Sequence, residues 1–292
     1  MSEIKTMCSS TAPYELQASS FVEIRKTMRR DIVSMIHEAK SGHPGGSLSA
    51  VEIMAALYFT DIFRVDPKAP DNNDRDRFIL SKGHCAPVLY SALCRKSFFS
   101  ETELPKLRKL GAILQGHPHS ILVPGLDCSS GSLGQGLSIS CGIALGFKKQ
   151  NMDKRVYCLM GDGEIQEGQI WEAAMTASQL KLDNICGIVD NNHVQLDGRT
   201  DDIKKVEPVA GKFRDFGWNV IEIDGHNVQA VYAAYKLAAQ TKGRPTVIVA
   251  ETIKGMGISY MEDDCAWHGM APNSEQLAQA LKDIDEMYGL EA

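Results

Sequence analysis

Apolar side chains recur along the chain at two different spacings, and these spacings predict alternating helices and strands. Between residues 15 and 40 an apolar residue returns every three or four positions, which predicts one long helix. Residues 1–17 are mostly polar and unpatterned, so we interpret them as a flexible N-terminal arm. Residues 49–59 predict a second helix, in which Ser49 is the N-cap and Glu52 completes a capping box.

Short apolar runs then alternate with further helical segments. The runs predict strands at residues 78–81, 156–160, 185–189, 220–223 and 246–250. The segments with helical spacing lie at residues 134–149, 168–180 and 228–241. This alternation predicts an α/β fold in which a parallel β-sheet carries helices on both faces. We assign residues 18–292 to that single domain.

Composition narrows the classes of function. The chain has 292 residues and a formal net charge of -6 with both signs interspersed, so we expect no nucleic-acid partner. Its 8 cysteines form no Cys-x-x-Cys pair and several lie in apolar runs, which indicates reduced core thiols. No signal-like start and no run of about 18 apolar residues occurs, so we expect a cytoplasmic protein without a membrane segment.

Polar side chains follow two neighbouring predicted strands at the point where each strand ends. A Gly-Asp-Gly segment occupies residues 161–163, and an Asp-Asn-Asn segment occupies residues 190–192. Ligands gather at the carboxyl ends of parallel strands, and Mg²⁺ prefers oxygen ligands that it shares with phosphate. Asp162, Asn192 and the Val194 carbonyl can supply three such oxygens. Asp-Gly alone is also a common turn dipeptide, so the pairing of the two segments carries this hypothesis.

Four of the 8 histidines stand near glycine in loops between predicted elements: His43, His84, His117 and His268. Glycine permits tight turns that aim an imidazole into a cleft. Imidazoles bind sugar hydroxyls and transfer protons near neutral pH. A single loop histidine is more often an ordinary surface residue, so the shared glycine context is what favours a common site.

Two lysines and one glycine-rich segment give weaker indications of ligand binding. Lys82 and Lys254 each stand beside a glycine, where an ammonium group suits diphosphate oxygens; two solvated lysines are the alternative. The segment GSLGQG at residues 131–136 does not fit a dinucleotide-binding loop, because no predicted strand precedes it and no acidic residue follows at the required spacing. Its glycines favour close packing, or a close ligand, at the start of a helix.

Together these motifs resemble the N-terminal, thiamine diphosphate-binding half of transketolase. The resemblance covers nearly the whole chain, in the family's order, through the segments SGHPGGSLSA, SKGHCAPVLY, QGHP, SSGSLGQGLS, GDGEIQEGQIWEA, VDNNHVQLDG, TIKGMG and WHGMAP. It implies the fold of the domain that binds the cofactor diphosphate.

The resemblance implies thiamine diphosphate as cofactor, held with Mg²⁺ or, in its place, Ca²⁺ or Mn²⁺. The implied metal ligands are Asp162, Asn192 and the Val194 carbonyl. Gly163 would contact the diphosphate, with His84 and His268 near the phosphates, and Gly131 and Leu133 would border the aminopyrimidine ring. The full implied set of cofactor-binding residues is Lys82, His84, Gly131, Leu133, Asp162, Gly163, Asn192, Lys254 and His268.

The resemblance also implies catalytic roles. His43, His117 and His268 would hold the hydroxyls of a ketose donor, with His43 and His268 as candidates for proton transfer. Glu167 and Glu172 resemble an acidic pair that, in the family, faces its symmetry mate near the dimer axis. Two acidic residues in the first turns of a helix also complement the helix dipole, and that interpretation stays open.

The implied reaction passes a two-carbon glycolaldehyde unit from a ketose to an aldose, free or phosphorylated, as in the pentose phosphate pathway. The chain ends soon after Trp267-His268-Gly269, whereas a complete transketolase continues into a pyrimidine-binding domain that supplies the activating glutamate. We therefore expect a split enzyme in which a second, C-terminal subunit completes the site. The expected assembly is α₂β₂.

Four alternatives stay open. The first is a split transketolase for an unusual ketose, such as a sulfonated or branched sugar, because the distal group would be recognised by the other subunit. The second is the α subunit of a 2-oxoacid dehydrogenase, although the loops around His43 and His117 speak against it. The third is a deoxyxylulose-phosphate or dihydroxyacetone synthase relative, although those are usually single long chains. The last is a non-catalytic scaffold subunit.

Overall fold

The computed structural model describes residues 19–289, and in this part of the chain a five-stranded sheet lies between two layers of helices. In chain order the elements are α1 Ser19–Ala39, α2 Gly45–Leu48, α3 Val51–Tyr58, β1 Arg77–Leu80, α4 Ala86–Arg95, α5 Gln135–Lys149, β2 Val156–Gly161, α6 Gly168–Gln179, β3 Ile185–Asn191, α7 Thr200–Ile203, α8 Val209–Asp215, β4 Asn219–Asp224, α9 Val228–Gln240, β5 Thr246–Glu251 and α10 Ser274–Gly289. Short 3-10 helices lie at Gly83–Cys85, Glu101–Lys106, Glu164–Gln166 and Cys265–His268.

The sheet has the strand order β1-β2-β3-β5-β4, and every neighbouring pair is parallel. Alternate side chains of a strand face opposite sides. Tyr157 and Leu159 of β2 accordingly belong to a core with α1, α3, α4, α9 and α10, whereas Cys158 and Met160 belong to a second core with α5, α6 and α8. The predicted α/β fold, a parallel sheet with helices on both faces, is confirmed.

The long first helix shows how the apolar spacing becomes packing. Met28, Ile32 and Ile36 recur at helical spacing on α1 and have no exposed surface, because this stripe packs against α4 and α10. Burial of each such side chain contributes about 1.5–3 kcal/mol. The prediction placed this helix at residues 15–40, and the described part begins at Ser19. The predicted arm at residues 1–17 lies outside the described residues.

The predicted capping box at Ser49 is wrong. The segment forms two helices, α2 and α3, and the residue before α3 is Ala50, which makes no side-chain cap. The Ser49 hydroxyl donates instead to the Asp190 carboxylate at 2.6 Å, and Glu52 is buried in a salt bridge with Arg29 at 2.7 Å. Ser49 and Glu52 therefore bind partners that are distant in sequence. A motif based on local spacing cannot predict such partners.

The carboxyl edge of the sheet gathers the loops that carry the candidate site. The strand register pairs Gly161 with Asp190 and Asn191 with Glu251, so β2, β3 and β5 end side by side. The Asp162 N–H donates to the Asp190 carbonyl at 3.2 Å, which extends this alignment into the loops. Within residues 19–289, no helix is both long and apolar enough to cross a membrane.

Candidate functional site

A cavity of about 260 Å³ lies at this edge, where the loops after β1, β2, β3 and β5 meet. Every residue that the sequence analysis assigned to the cofactor or the metal lines it, and so do His43 and His117. Glu167 and Glu172 do not line the cavity; both are exposed at the start of α6. The structure thus brings together all the predicted site residues except the acidic pair.

The carboxylate of Asp162 is buried but only partly satisfied. The residue is 2 % exposed, and its Oδ1 accepts a hydrogen bond from the Gly163 N–H at 2.8 Å. Its Oδ2 has no hydrogen-bond partner among residues 19–289. Burial and the nearby Asp190 carboxylate raise the pKa of Asp162 to about 6. A buried carboxylate oxygen without a partner is unfavourable, so this atom is suited to a bound cation.

Asn192 and Val194 lie in the adjacent loop after β3. The Oδ1 of Asn192 accepts a hydrogen bond from the Val194 N–H at 3.2 Å. The Val194 carbonyl accepts one from Lys254 Nζ at 2.8 Å. A carbonyl oxygen has two lone pairs, so this carbonyl can bind the ammonium group and a metal ion together. Burial lowers the pKa of Lys254 to about 8, which leaves the ammonium form dominant at neutral pH.

Asp190 is the centre of a buried ionic network that the sequence analysis did not assign. Its carboxylate accepts hydrogen bonds from Ser49 Oγ at 2.6 Å, Asn192 Nδ2 at 3.2 Å, Lys82 Nζ and Thr252 Oγ1. Because Nδ2 is held by Asp190, the amide oxygen of Asn192 is turned away from that carboxylate. Burial alone would lower the pKa of Lys82, but Asp190 raises it to about 12. The positive charge of Lys82 is therefore balanced by Asp190 within the protein. A contact between Lys82 and a phosphate stays a prediction.

Glu164 is a second buried carboxylate that the sequence analysis missed. Its Oε1 accepts from the Gly134 N–H at 2.9 Å and from the Ser81 hydroxyl, and its Oε2 accepts from the Gly161 N–H at 3.1 Å. These donors lie on three separate segments next to the cavity, so Glu164 ties them together. The available signal was its place directly after the Gly-Asp-Gly segment at the end of a buried strand.

The four predicted histidines form one cluster. The ring centroid of His43 lies 5.3 Å from that of His84, 5.4 Å from that of His268 and 6.2 Å from that of His117. The rings of His84 and His268 stack at 5.1 Å. Four loops that are far apart in sequence therefore place their imidazoles on one side of the same cavity.

These imidazoles are uncharged at neutral pH. Burial, with nearby cations acting in the same direction, lowers the pKa of all four, to about 4 for His43 and about 3 for His268. Lys254 Nζ lies 2.9 Å from His268 Nδ1, and Arg108 Nη2 lies 3.4 Å from His43 Nδ1. Arginine and protonated lysine can only donate, so in both rings Nδ1 is the acceptor and Nε2 carries the proton. Sequence analysis passed over Arg108, which no motif distinguishes.

Gly131 and Leu133 complete the predicted lining. A Cβ atom on Gly131 would lie 3.1 Å from the His117 ring, and the residue has a φ of +143°, so both space and backbone conformation favour glycine. Leu133 lines the cavity and keeps 38 % of its surface exposed. An apolar ring bound at this point would cover it.

Comparison with known families gives a match over most of the chain. Residues 21–291 match the family described as transketolase, thiamine diphosphate binding domain. One subunit of the apulose-4-phosphate transketolase of Phocaeicola vulgatus is 41 % identical over 258 residues, which cover 88 % of this chain and 91 % of that protein. The 6-deoxy-6-sulfo-D-fructose transketolase subunit of Clostridium sp. is 42 % identical over 245 residues, which cover 84 % and 89 %.

The solved structures agree with this match. The transketolase of Campylobacter jejuni superposes with a TM-score of 0.85 at 31 % identity, and the aligned part covers 92 % of this chain and 42 % of that one. This chain therefore spans less than half of that transketolase, but nearly all of the two subunits named above. Sequence, fold and cavity together show that the chain belongs to the transketolase family and carries its thiamine diphosphate-binding domain.

Proposed function

We propose that the chain is the N-terminal subunit of a two-chain transketolase that binds thiamine diphosphate through Mg²⁺. The observation that carries the proposal is the buried Oδ2 of Asp162, which has no hydrogen-bond partner in the described part of the chain and lies in the cavity shared with Asn192 and Val194. A carboxylate, an amide oxygen and a carbonyl satisfy the preference of Mg²⁺ for oxygen ligands, and diphosphate oxygens and water complete its shell. Ca²⁺ and Mn²⁺ accept the same ligand types.

The residues around these ligands suit an anionic tail. Lys254 is buried beside the Val194 carbonyl and brings a positive charge to the cavity. A Cβ atom on Gly163 would lie 2.9 Å from the Gln195 side chain, so glycine lets the two loops close on a diphosphate. Gly131 and Leu133 would border the aminopyrimidine ring, with His84 and His268 nearer the phosphates.

When bound, thiamine diphosphate supplies the carbanion chemistry, and the protein supplies binding, orientation and electrostatics. We assign His43, His117 and His268 to the hydroxyl groups of the ketose donor, because neutral imidazoles both donate and accept hydrogen bonds. His43 and His268 carry Nε2–H groups, which can donate hydrogen bonds to a donor oxygen, and both rings are the proposed candidates for proton transfer. Their lowered pKa values favour this hydrogen-bonding role over that of a strong base at neutral pH.

A second polypeptide is part of the proposal. Three relatives are each named as one subunit of a transketolase. We propose a partner subunit with the pyrimidine-binding domain and an α₂β₂ assembly. Glu167 and Glu172 are exposed at the start of α6, where they can face another copy of the chain.

The names of two relatives support a narrower proposal for the substrate class. Two of them are named for apulose-4-phosphate and for 6-deoxy-6-sulfo-D-fructose, the second of which is a sulfonated sugar. The second candidate function is therefore a transketolase for an unusual ketose. These names favour it over a transketolase for the common pentose phosphates. Recognition of the distal group would then rest mainly on the partner subunit.

The test is to co-express the chain with the product of the adjoining reading frame and to supply thiamine diphosphate, Mg²⁺, one aldose phosphate and a panel of ketoses. The proposal predicts, by mass spectrometry, an acceptor extended by two carbons and a donor shortened by two carbons. The panel contains pentulose phosphates, branched ketose phosphates and sulfonated ketoses, which separates the two candidate functions. Cofactor binding without transfer from any ketose would contradict the reaction, and metal-independent cofactor binding would contradict the site.

A further inference from the structure

A second group of metal-ligating side chains lies outside the cavity lining. His193 follows β3, Glu207 precedes α8, and Glu251 ends β5. One ligand atom from each of the three lies within 4.8 Å of the other two. His193 Nε2 is 2.7 Å from Glu251 Oε2, and His193 Nδ1 is 4.0 Å from Glu207 Oε1. Three segments of the fold thus converge with one imidazole and two carboxylates.

Asn191 provides an independent observation at the same place. It is 1 % exposed, and its Nδ2 donates to Glu207 Oε1 at 3.0 Å and to Glu251 Oε1 at 2.6 Å. Its Oδ1 is buried and has no hydrogen-bond partner within the described part of the chain. Rotation of the amide by 180° would turn Oδ1 toward the carboxylates and would break both Nδ2 hydrogen bonds, so it is favourable only with a cation present. A cation between the carboxylates would favour that rotation.

The charge balance also favours a cation. Among residues 19–289, the only ion pairs of Glu207 and Glu251 are those with His193. Glu207 Oε2 also accepts a hydrogen bond from the Val209 N–H at 2.8 Å, but within this part of the chain neither carboxylate has an ion pair with a lysine or arginine. Their side chains are 31 % and 54 % exposed, so an ion can enter from solvent and keep a water ligand.

We propose that His193, Glu207 and Glu251, with Asn191, form a second metal site that takes a divalent transition metal such as Zn²⁺. Imidazole nitrogen together with carboxylate oxygen suits Zn²⁺, which binds such sets more tightly than earlier first-row metals. Mg²⁺ prefers oxygen ligands only and suits the cavity site instead. The two sites are therefore separable by metal.

An ion at this site would restrain the loop that carries two of the proposed Mg²⁺ ligands. His193 lies between Asn192 and Val194, so an ion on its ring fastens their loop to the end of β5 and to the segment before α8. Thr200 N–H already donates to the His193 carbonyl at 2.9 Å, which holds the backbone of this loop from the other end. The proposed ion adds a link through the side chain. It needs neither the cofactor nor the second polypeptide.

Competition between the full-length chain and a chromophoric zinc chelator at neutral pH tests the site, with Zn²⁺ alone as the probe. The wild-type chain should bind one Zn²⁺ that excess Mg²⁺ does not displace. His193→Asn and Glu251→Gln should each weaken binding by at least about tenfold. Asparagine is chosen because His193 has a φ of +60°, which asparagine tolerates.

Two control variants separate this site from the cavity. His268→Gln removes a cavity imidazole, and Asp162→Asn removes the charge of the proposed Mg²⁺ ligand; neither should change zinc affinity. The far-UV circular dichroism of each zinc-free variant shows whether the fold is retained. Absence of one-to-one binding, binding unaffected by His193→Asn and Glu251→Gln, or binding lost in His268→Gln would each overturn the proposal.

Discussion

Two neighbouring groups of side chains at or beside the cavity differ in charge: one consists of buried carboxylates and the other of uncharged histidines. The carboxylate group is buried and consists of Asp162, Glu164 and Asp190. The histidine group is partly accessible and consists of His43, His84, His117 and His268. The first holds charge in place through ion pairs and backbone donors, whereas the second is kept uncharged by burial and by nearby cations.

Under the proposed function, the contrast implies that anchoring of the cofactor and handling of the substrate are separate tasks in this domain. Buried charge is stable only with fixed partners, so the carboxylate group suits a metal ion and a diphosphate that stay bound. Neutral imidazoles lose little solvation free energy when a polar sugar enters or leaves, so the histidine group suits a substrate that exchanges at every turnover. Substitutions in the two groups should therefore change different measurable quantities.

The largest expected effect comes from Asp190→Asn. The substitution leaves the Lys82 ammonium buried without its counter-charge and should lower the free energy of unfolding by about 3–5 kcal/mol. Urea denaturation measures it. Ser49→Ala is the matched control, because it removes one hydrogen bond to the same carboxylate and should lower the free energy of unfolding by about 1.5–3 kcal/mol at most. Equal small losses in both variants would mean that Asp190 is not the centre of the network.

Asp162→Ala should separate anchoring from stability. It removes a proposed metal ligand, so the affinity of the proposed two-chain complex for thiamine diphosphate with Mg²⁺ should fall by at least about 100-fold in a calorimetric titration. The free energy of unfolding of the cofactor-free chain should change little, because the lost hydrogen bond from the Gly163 N–H to Oδ1 is offset by removal of the buried Oδ2, which has no partner within residues 19–289. A variant that binds the cofactor normally would break the distinction between the two groups.

His117→Ala should show the opposite pattern. The affinity for thiamine diphosphate should stay within about twofold of the wild type, while KM for the ketose donor rises about tenfold, the value of one lost hydrogen bond. Steady-state kinetics and the same titration measure the two quantities. If both Asp162→Ala and His117→Ala weaken cofactor binding equally, the proposed division of labour is wrong.

The smallest expected effect is a pH dependence of stability. The pKa of His43 is lowered from 6.5 to about 4 in the folded chain, so below pH 6.5 the unfolded chain binds the extra proton first. The stability contribution of the neutral ring is complete above pH 6.5 and is lost as pH falls toward about 4. After allowance for solvent screening, we expect about 1 kcal/mol from this ring. His43→Gln should flatten the unfolding profile in this interval, and an unchanged slope would contradict the lowered pKa.

The parallel sheet was predictable because its strands are nearly continuous apolar runs. The runs at residues 156–160 and 185–189 became β2 and β3, each extended by one or two residues. The extension matters, because the added Gly161 and Asp190 are where the site begins. The apolar pattern predicts a strand only as far as the apolar residues extend. The backbone hydrogen bonds between the strands continue beyond them, into the polar residues.

The buried networks were not predictable from local pattern. Ser49 and Asp190 are 141 residues apart in sequence, so nothing near Ser49 reveals its true partner. Ser49 and Glu52 matched a capping box on spacing alone, and tertiary contacts overrode it. The convergence of the four histidines was anticipated from their glycine context, but their distances, tautomers and lowered pKa values depend on neighbours such as Arg108.

The central claim is that the loops after β2 and β3 hold one divalent ion that anchors thiamine diphosphate. Its most direct test is anomalous diffraction from crystals of the two-chain complex grown with thiamine diphosphate and Mn²⁺ in place of Mg²⁺. The account predicts a peak about 2.0–2.3 Å from Asp162 Oδ2, Asn192 Oδ1 and the Val194 carbonyl oxygen, next to diphosphate density. Bound cofactor with no peak between Asp162 and Asn192 would contradict it.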